Sequence, residues 1–181
     1  MPPDRRQKIL RLLSLIFVVG IVVLILVNRD RVQELPRYGY LGLFFTTLIS
    51  NATVFVPVPG VMVAFAMGAV FQPVLTALFA GLGGATGELS GYLLGFSGQG
   101  LAERSERYQR VITWMTDHEK LRDLAIFGLA AVPNPFFDLA GIAAGTLKMP
   151  VLRFWIFCAL GSILKYGIFA FAGSTALKFL S

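Results

Sequence analysis

Charge is almost absent from two long tracts of this chain, and that absence constrains the fold more than any motif does. Between Tyr38 and Ala102 the only charged side chain is Glu88, and between Leu124 and Leu147 the only one is Asp138. Of 181 residues, 56% are hydrophobic and 14% charged. So apolar a chain cannot clothe a water-facing surface with polar groups, and the expected fold is an all-α integral membrane protein.

The ends of the apolar tracts carry the orientation signal. The opening "MPPDRRQKILRLLSLIFVVGIVVLILVNRDR" places Arg5, Arg6, Lys8 and Arg11 before a long apolar run. That run exceeds a signal-peptide core and ends at Asn28-Arg29-Asp30-Arg31 without small-residue cleavage chemistry. The expectation is an uncleaved first transmembrane helix with its N-terminus cytoplasmic, in a cell (inner) membrane. The net charge of +6 falls mainly at hydrophobic boundaries, where anionic headgroups are the natural partners; no basic face or motif suits a nucleic acid. One cysteine, Cys158, and one histidine, His118, leave no disulfide, thiolate cluster or zinc set, and no cofactor motif appears.

Two stretches then repeat each other. "VPVPGVMVAFAMGAVFQPVL" begins at Val56 and "VPNPFFDLAGIAAGTLKMPVL" at Val132. Pro57 and Pro59 match Pro133 and Pro135; after one inserted residue Gly68 matches Gly145, Pro73 matches Pro150 and Gly84 matches Gly161. Each copy brings an apolar segment to a Pro-x-Pro break, resumes for about ten residues, and enters a long helix at a proline, over about 73–97 and 150–177. The prolines free backbone carbonyls at membrane depth, where irregular backbone is tolerated only inside protein or beside a water-filled cavity. Leu41–Val56 and Leu124–Val132 are short for full spans, so each break reads as the tip of a re-entrant hairpin. Counting crossings gives the halves opposite orientation: an inverted repeat of re-entrant hairpin plus transmembrane helix, behind an N-terminal transmembrane helix. The expected divisions are 1–37, 38–97, a cytoplasmic amphipathic connector at 98–123, and 124–181. In the connector, with five basic and five acidic residues, Leu101, Tyr108, Val111, Ile112 and Met115 recur at helical spacing beside Trp114, which suits an interfacial helix.

Three intramembrane charges are the candidate transport and proton-coupling residues. Glu88 lies beside a face of Gly83, Gly87, Gly91 and Gly95, spaced to let another helix approach. Desolvation there disfavours a charged carboxylate, which suits a proton carrier or cation ligand as well as a protonated hydrogen-bond donor. Asp138 follows the second break, where it can cap the resuming helix or bind a coupling cation. Lys165 is the repeat equivalent of Glu88. Both lie roughly 22 Å along oppositely directed helices. That places them roughly 15 Å apart in depth across a core of about 30 Å. No direct salt bridge is expected, and Lys165 is expected to snorkel outward or to bind a headgroup. Lys148 and Arg153 are expected headgroup anchors, and His118 a surface residue.

The strings "GELSGYLLG" (87–95, with Tyr92) and "PNPFFDLAGIAAGTLKMPVLRF" (133–154, with Gly145), with the Pro-containing first hairpin, resemble the DedA family, also called the VTT-domain or SNARE-associated Golgi protein family. The resemblance runs from about residue 38 to 175. It implies two facing re-entrant hairpins and movement of lipids between leaflets: undecaprenyl phosphate recycling in bacterial members, phospholipid scrambling in eukaryotic ones. The family's acidic positions fall on Glu88 and Asp138. Many bacterial members carry arginine where this chain has Ala130, Ala131 and Phe96, and arginine is the natural bidentate phosphate ligand. Its absence shifts weight toward a less selective phospholipid scramblase or another anionic substrate.

The expected function is therefore a lipid transporter or scramblase, with coupling to protons through Glu88 and Asp138 if these carboxylates titrate. Its expected partners are lipids with anionic or zwitterionic headgroups and protons or cations; the glycine seam can serve a homodimer as easily as packing within the chain. The alternative is a proton- or cation-coupled antiporter of a small solute. An enzyme is not expected, because H-E-x-x-H and G-x-S-x-G strings are absent and no histidine lies within an apolar tract.

Overall fold

The computed structural model describes residues 20, 23, 27, 36–52, 60–97, 106–119, 121–133 and 137–180. Every regular element among them is helical: α1 Pro36–Ala52, α2 Gly60–Val70, α3 Pro73–Phe96, α4 Glu106–Asp117, α5 Arg122–Ala131, α6 Phe137–Thr146 and α7 Val151–Leu180. Pro57, Pro59, Pro135 and Leu101 lie outside the described residues, as does nearly all of the expected first transmembrane helix.

Proline and chain length set the element boundaries. Pro73 occupies the start of α3, where its missing N–H would have no partner in any case, and Thr76 N–H donates to Gln72 O at 3.0 Å to open the helix. Pro150 directly precedes α7, and its carbonyl accepts from Phe154 N–H at 3.1 Å, as Gln72 O does for α3. Pro36 starts α1 two residues before the expected boundary at 38. Arg122 and Asp123 carry charge that groups them with the connector in the sequence; they instead open α5, with Arg122 N–H on His118 O at 3.0 Å. The charges are accommodated there by pairing: the Arg153 guanidinium donates to Asp123 Oδ2 at 2.6 and 2.8 Å. Arg153 is thus held by a carboxylate of a neighbouring helix rather than left for headgroups.

At 1.5 Å per residue, α3 and α7 are roughly 36 and 45 Å long, enough to cross a hydrocarbon core of about 30 Å, whereas α2, α5 and α6 reach only about half of it. Among the described residues, Val151–Ala176 of α7 is the one segment both long and apolar enough to span on length and composition alone. Glycines and Glu88 dilute the apolarity of α3. Solvent-facing positions of α7 are Leu152, Ile156, Leu160, Leu164, Ile168 and Phe171, an apolar stripe at helical spacing, and α1 adds Leu41, Phe45 and Ile49. Thr47, Thr76, Glu88, Ser162 and Lys165 are buried instead. Apolar outside and polar inside is the arrangement lipid selects.

The long helices α3 and α7 pack together at the centre. A Cβ on Gly81 would run into the Ile163 backbone, so glycine there allows this crossing; one on Gly167 would make ordinary contact, 3.6 Å from Ala77. Around it, α1 packs on α3 and α5 on α7, while the short helices cross over: α2 packs on α7 and α6 on α3. Gly68 on α2 meets the backbone of Ala170, and Gly145 on α6 meets the backbone of Tyr92.

The glycine face of α3 does not serve one partner. Gly83 and Gly87 admit the backbone of α1 at Phe44 and Leu48, and Gly95 admits α6 at Ile142. Gly91 has ordinary space, since a Cβ there would lie 3.8 Å from its nearest neighbour, Asp138 O. These contacts lie within the chain. On α4, Tyr108 and Met115 are buried, and Tyr108 Oη and Thr146 Oγ1 share a 2.7 Å hydrogen bond that seats the connector on the end of α6. Trp114 and His118 remain outside, stacked at 5.0 Å.

Candidate functional site

The broken segments end around one cavity. Ser50 and Asn51 from the end of α1 and Gly60 and Val61 from the start of α2 form one side; Val132 and Pro133 after α5, with Phe137 and Asp138 opening α6, form the other. Glu88 of α3 and Lys165 and Tyr166 of α7 complete a space of about 180 Å³. At about 30 Å³ per water, such a space holds roughly six waters.

The three charged residues picked out from the sequence therefore share a site. Glu88 is 6% and Lys165 9% exposed, and Asp138 is half-buried in the first turn of α6. All three line the same space. Among the described residues, the ion pairs within 4.0 Å involve other groups. No direct Glu88–Lys165 bridge is among them; the two nonetheless line one cavity, and the expected outward snorkel of Lys165 does not occur. Its side chain is buried, with Nζ 5.1 Å from the centre of the Tyr166 ring. Depth counted along the helix axes omits the reach of the lysine side chain.

Polar residues that the sequence reading passed over hold the far wall. Asn51 Nδ2 donates to Tyr166 Oη at 2.9 Å and to Thr47 O at 2.8 Å, joining α1 to α7 across the cavity. Glycine makes that link fit: a Cβ at Gly84 would lie 2.9 Å from the Tyr166 ring, and one at Gly60 3.3 Å from its hydroxyl. Ser50 Oγ is buried beside them and has no hydrogen-bond partner among the described residues. The available signal was two consecutive polar residues, Ser50-Asn51, closing an apolar run, and a tyrosine directly after the intramembrane lysine.

Tyr92 and Gly145, singled out as motif residues, meet away from this cavity. Tyr92 Oη donates to Met149 O at 2.5 Å, and its ring stacks on Phe154 at 5.3 Å, locking α3 to the turn between α6 and α7. They hold the crossing that aims Asp138 at the cavity. Of the break prolines, Pro133 lies at the cavity rim, exposed.

Chemically, the site offers two carboxylates, one ammonium, a carboxamide, a phenol and a free hydroxyl inside an apolar shell. Such a set can bind a charged or zwitterionic group, or hold and release a proton, with little competition from bulk water. No group of three metal-ligating side chains lies close together among the described residues.

Comparison with known proteins gives a consistent picture. The family model for the VTT domain matches residues 58–175, which includes every charged residue of the cavity. Two vacuole membrane proteins of Arabidopsis thaliana are similar: KMS2 is 32% identical over 106 residues, and KMS1 31% over 109. Each match takes in 50% of this chain and 26% of the relative, so the chain spans about a quarter of the length of these relatives. No solved structure matches the chain.

Proposed function

The chain belongs to the VTT-domain family of membrane proteins, and on that premise we propose that it is a multi-pass transporter that moves lipid headgroups between leaflets. The observation that carries the reading is the convergence of Glu88, Asp138 and Lys165 on one cavity between the breaks. A phospholipid or polyprenyl-phosphate headgroup would pass along this polar path while its acyl chains stay in the bilayer. Lys165 would meet the phosphate; Glu88 and Asp138 would carry protons or meet a headgroup amine. The protein would act without chemical conversion of the lipid.

We read the architecture as an inverted repeat of re-entrant hairpin plus transmembrane helix. The crossed packing of α2 on α7 and α6 on α3 is what two hairpins entering from opposite faces would produce. In that topology the N-terminus is cytoplasmic and the protein sits in a cell (inner) membrane, with the connector helix α4 at the cytoplasmic interface.

The test is translocation of fluorescent phospholipids in proteoliposomes, for the native chain, Glu88→Gln and Asp138→Asn, with and without a pH gradient. Transfer above that of empty liposomes, lost in both variants, is the expected result. Transfer that is equal in all three proteins overturns the role of the cavity. A second reading, a proton- or cation-coupled antiporter of a small solute, is favoured by one observation: about 180 Å³ is small for a headgroup with its glycerol. Solute uptake that depends on Glu88 but not on lipid composition would select it.

A further inference from the structure

A second site lies at the turn that joins α6 to α7. We propose that the groove beside this turn binds an anionic phospholipid, with the headgroup phosphate on Lys148 and an acyl chain along Leu93, Phe96 and Val151.

The turn itself shows that Lys148 is not there for the backbone. After Thr146 the chain reverses, with Met149 N–H donating to Ala144 O at 3.0 Å, and Lys148 adopts φ 51°. That left-handed conformation favours glycine, and Lys148 is the one non-glycine residue with positive φ among the described residues. The side chain is exposed and belongs to none of the ion pairs among those residues. A cation is thus kept at a position where a glycine would suit the fold better.

Beneath it is an apolar groove of about 390 Å³, lined by Tyr92, Leu93, Phe96, Met149 and Val151 with Lys148 at one edge. Leu93 and Phe96 are 59% and 54% exposed, large apolar side chains left uncovered among the described residues. The groove is preformed. Tyr92 Oη is bonded to Met149 O at 2.5 Å, and Gly145 lets the α6 backbone lie directly against Tyr92. Arg153 and Asp123 pair near the same end of α7, so this end of the molecule carries charge, as segments at membrane boundaries do. An apolar seat with one cation at its polar edge complements an anionic lipid. A neutral lipid would leave the lysine unused, and a free phosphate would leave the groove uncovered. The site asks nothing of the central cavity and stands whatever that cavity carries.

The experiment uses the purified full chain, stripped of lipid in mild detergent. It is given phosphatidylglycerol or phosphatidylcholine at equal mole fraction and read by native mass spectrometry and thermal unfolding. The native chain is expected to retain phosphatidylglycerol in preference to phosphatidylcholine, by roughly fivefold for one lysine near an anionic surface. Lys148→Gly is expected to unfold at the same or a higher temperature without lipid, because glycine suits the turn, and yet to retain both lipids alike. Lys148→Arg should keep the preference, and Val151→Trp, which fills the groove, should lower retention of both. Equal retention by the native chain overturns the proposal, as does a preference undiminished in Lys148→Gly or retention unaffected by Val151→Trp. If Lys148→Gly does not fold, Lys148→Gln is read in the same way.

Discussion

The two short-helix crossings share their packing and differ in their chemistry. Where α2 meets α7, Gly173 lies against Phe65 O and Gly68 against Ala170; where α6 meets α3, Gly95 lies against Ile142 O and Gly145 against Tyr92. The short-helix partners, Phe65 and Ile142 or Gly68 and Gly145, are 77 positions apart, and the long-helix partners, Gly95 and Gly173 or Tyr92 and Ala170, are 78 apart. The backbone contacts therefore correspond, while Glu88 and Lys165, 77 apart and so one position out of that register, deliver opposite charges to the cavity. The packing residues are constrained by close backbone approach, and only glycine meets that constraint. The cavity positions face open space and are free to differ, so one half can hold the acid and the other the base.

The packing side of this comparison breaks most violently. Gly145→Val and Gly68→Val each force side-chain atoms into a backbone that cannot yield, and should cost about 3 kcal/mol or more, the upper end for overpacking. The expected outcome for both is loss of monodisperse protein in detergent, judged by size-exclusion chromatography. A fully folded Gly68→Val beside a collapsed Gly145→Val would show that the two crossings are not equivalent.

The charge side is sharpened by Glu88→Gln, Lys165→Gln and the double variant. If the groups balance each other across the cavity, each single change should lower transport by roughly tenfold or more, the scale of one lost charged interaction. The double variant should unfold at a higher temperature than additive losses predict, with a coupling of about 0.5–3 kcal/mol. Strict additivity of the unfolding temperatures would mean that the two charges ignore each other.

A third test compares the cavity with the charged end of the molecule, where a carboxylate and a cation do touch. Asp123→Asn removes the negative charge that accepts the 2.6 and 2.8 Å bonds from Arg153, leaving only a neutral amide oxygen, and should cost about 2 kcal/mol in thermal unfolding, the scale of a hydrogen bond to a charged group. Transport should be changed far less than by Glu88→Gln. Equal transport defects would erase the distinction between a structural pair and a functional set.

How far the sequence spoke follows the same divide. Prolines announced the starts of α3 and α7 because a fixed φ and a missing N–H act locally, without reference to the rest of the fold. Intramembrane Glu88, Asp138 and Lys165 were legible because charge in an apolar tract is costly wherever it points. Their meeting in one cavity was not legible, since it depends on how the helices cross and on side-chain reach. Asn51 and Tyr166 were missed for a related reason: each is ordinary alone, and the 2.9 Å bond between them spans 115 positions. The pairing of Arg153 was hidden because a basic residue at a membrane boundary reads as an anchor until its partner helix is placed. The evenly spaced glycines were visible as a face, but not that α1 and α6 would divide it.

The smallest expected effect separates packing from motion. Gly91 belongs to the same row as Gly87 and Gly95, yet a methyl group there would lie 3.8 Å from Asp138 O and 4.0 Å from Ile142, ordinary contact. Alanine also favours a helix interior over glycine by up to about 1 kcal/mol. Gly91→Ala should therefore raise the unfolding temperature slightly, in contrast to the damage expected from Gly95→Ala next along the row. In the transport assay, the same variant tests whether α3 and α6 keep this spacing while working. Unchanged transport fits a fixed frame around a static path. Slowed transport in a stabilised protein would mean that α6 closes on Gly91 during the cycle, carrying Asp138 toward Glu88, so that the α6–α3 crossing moves.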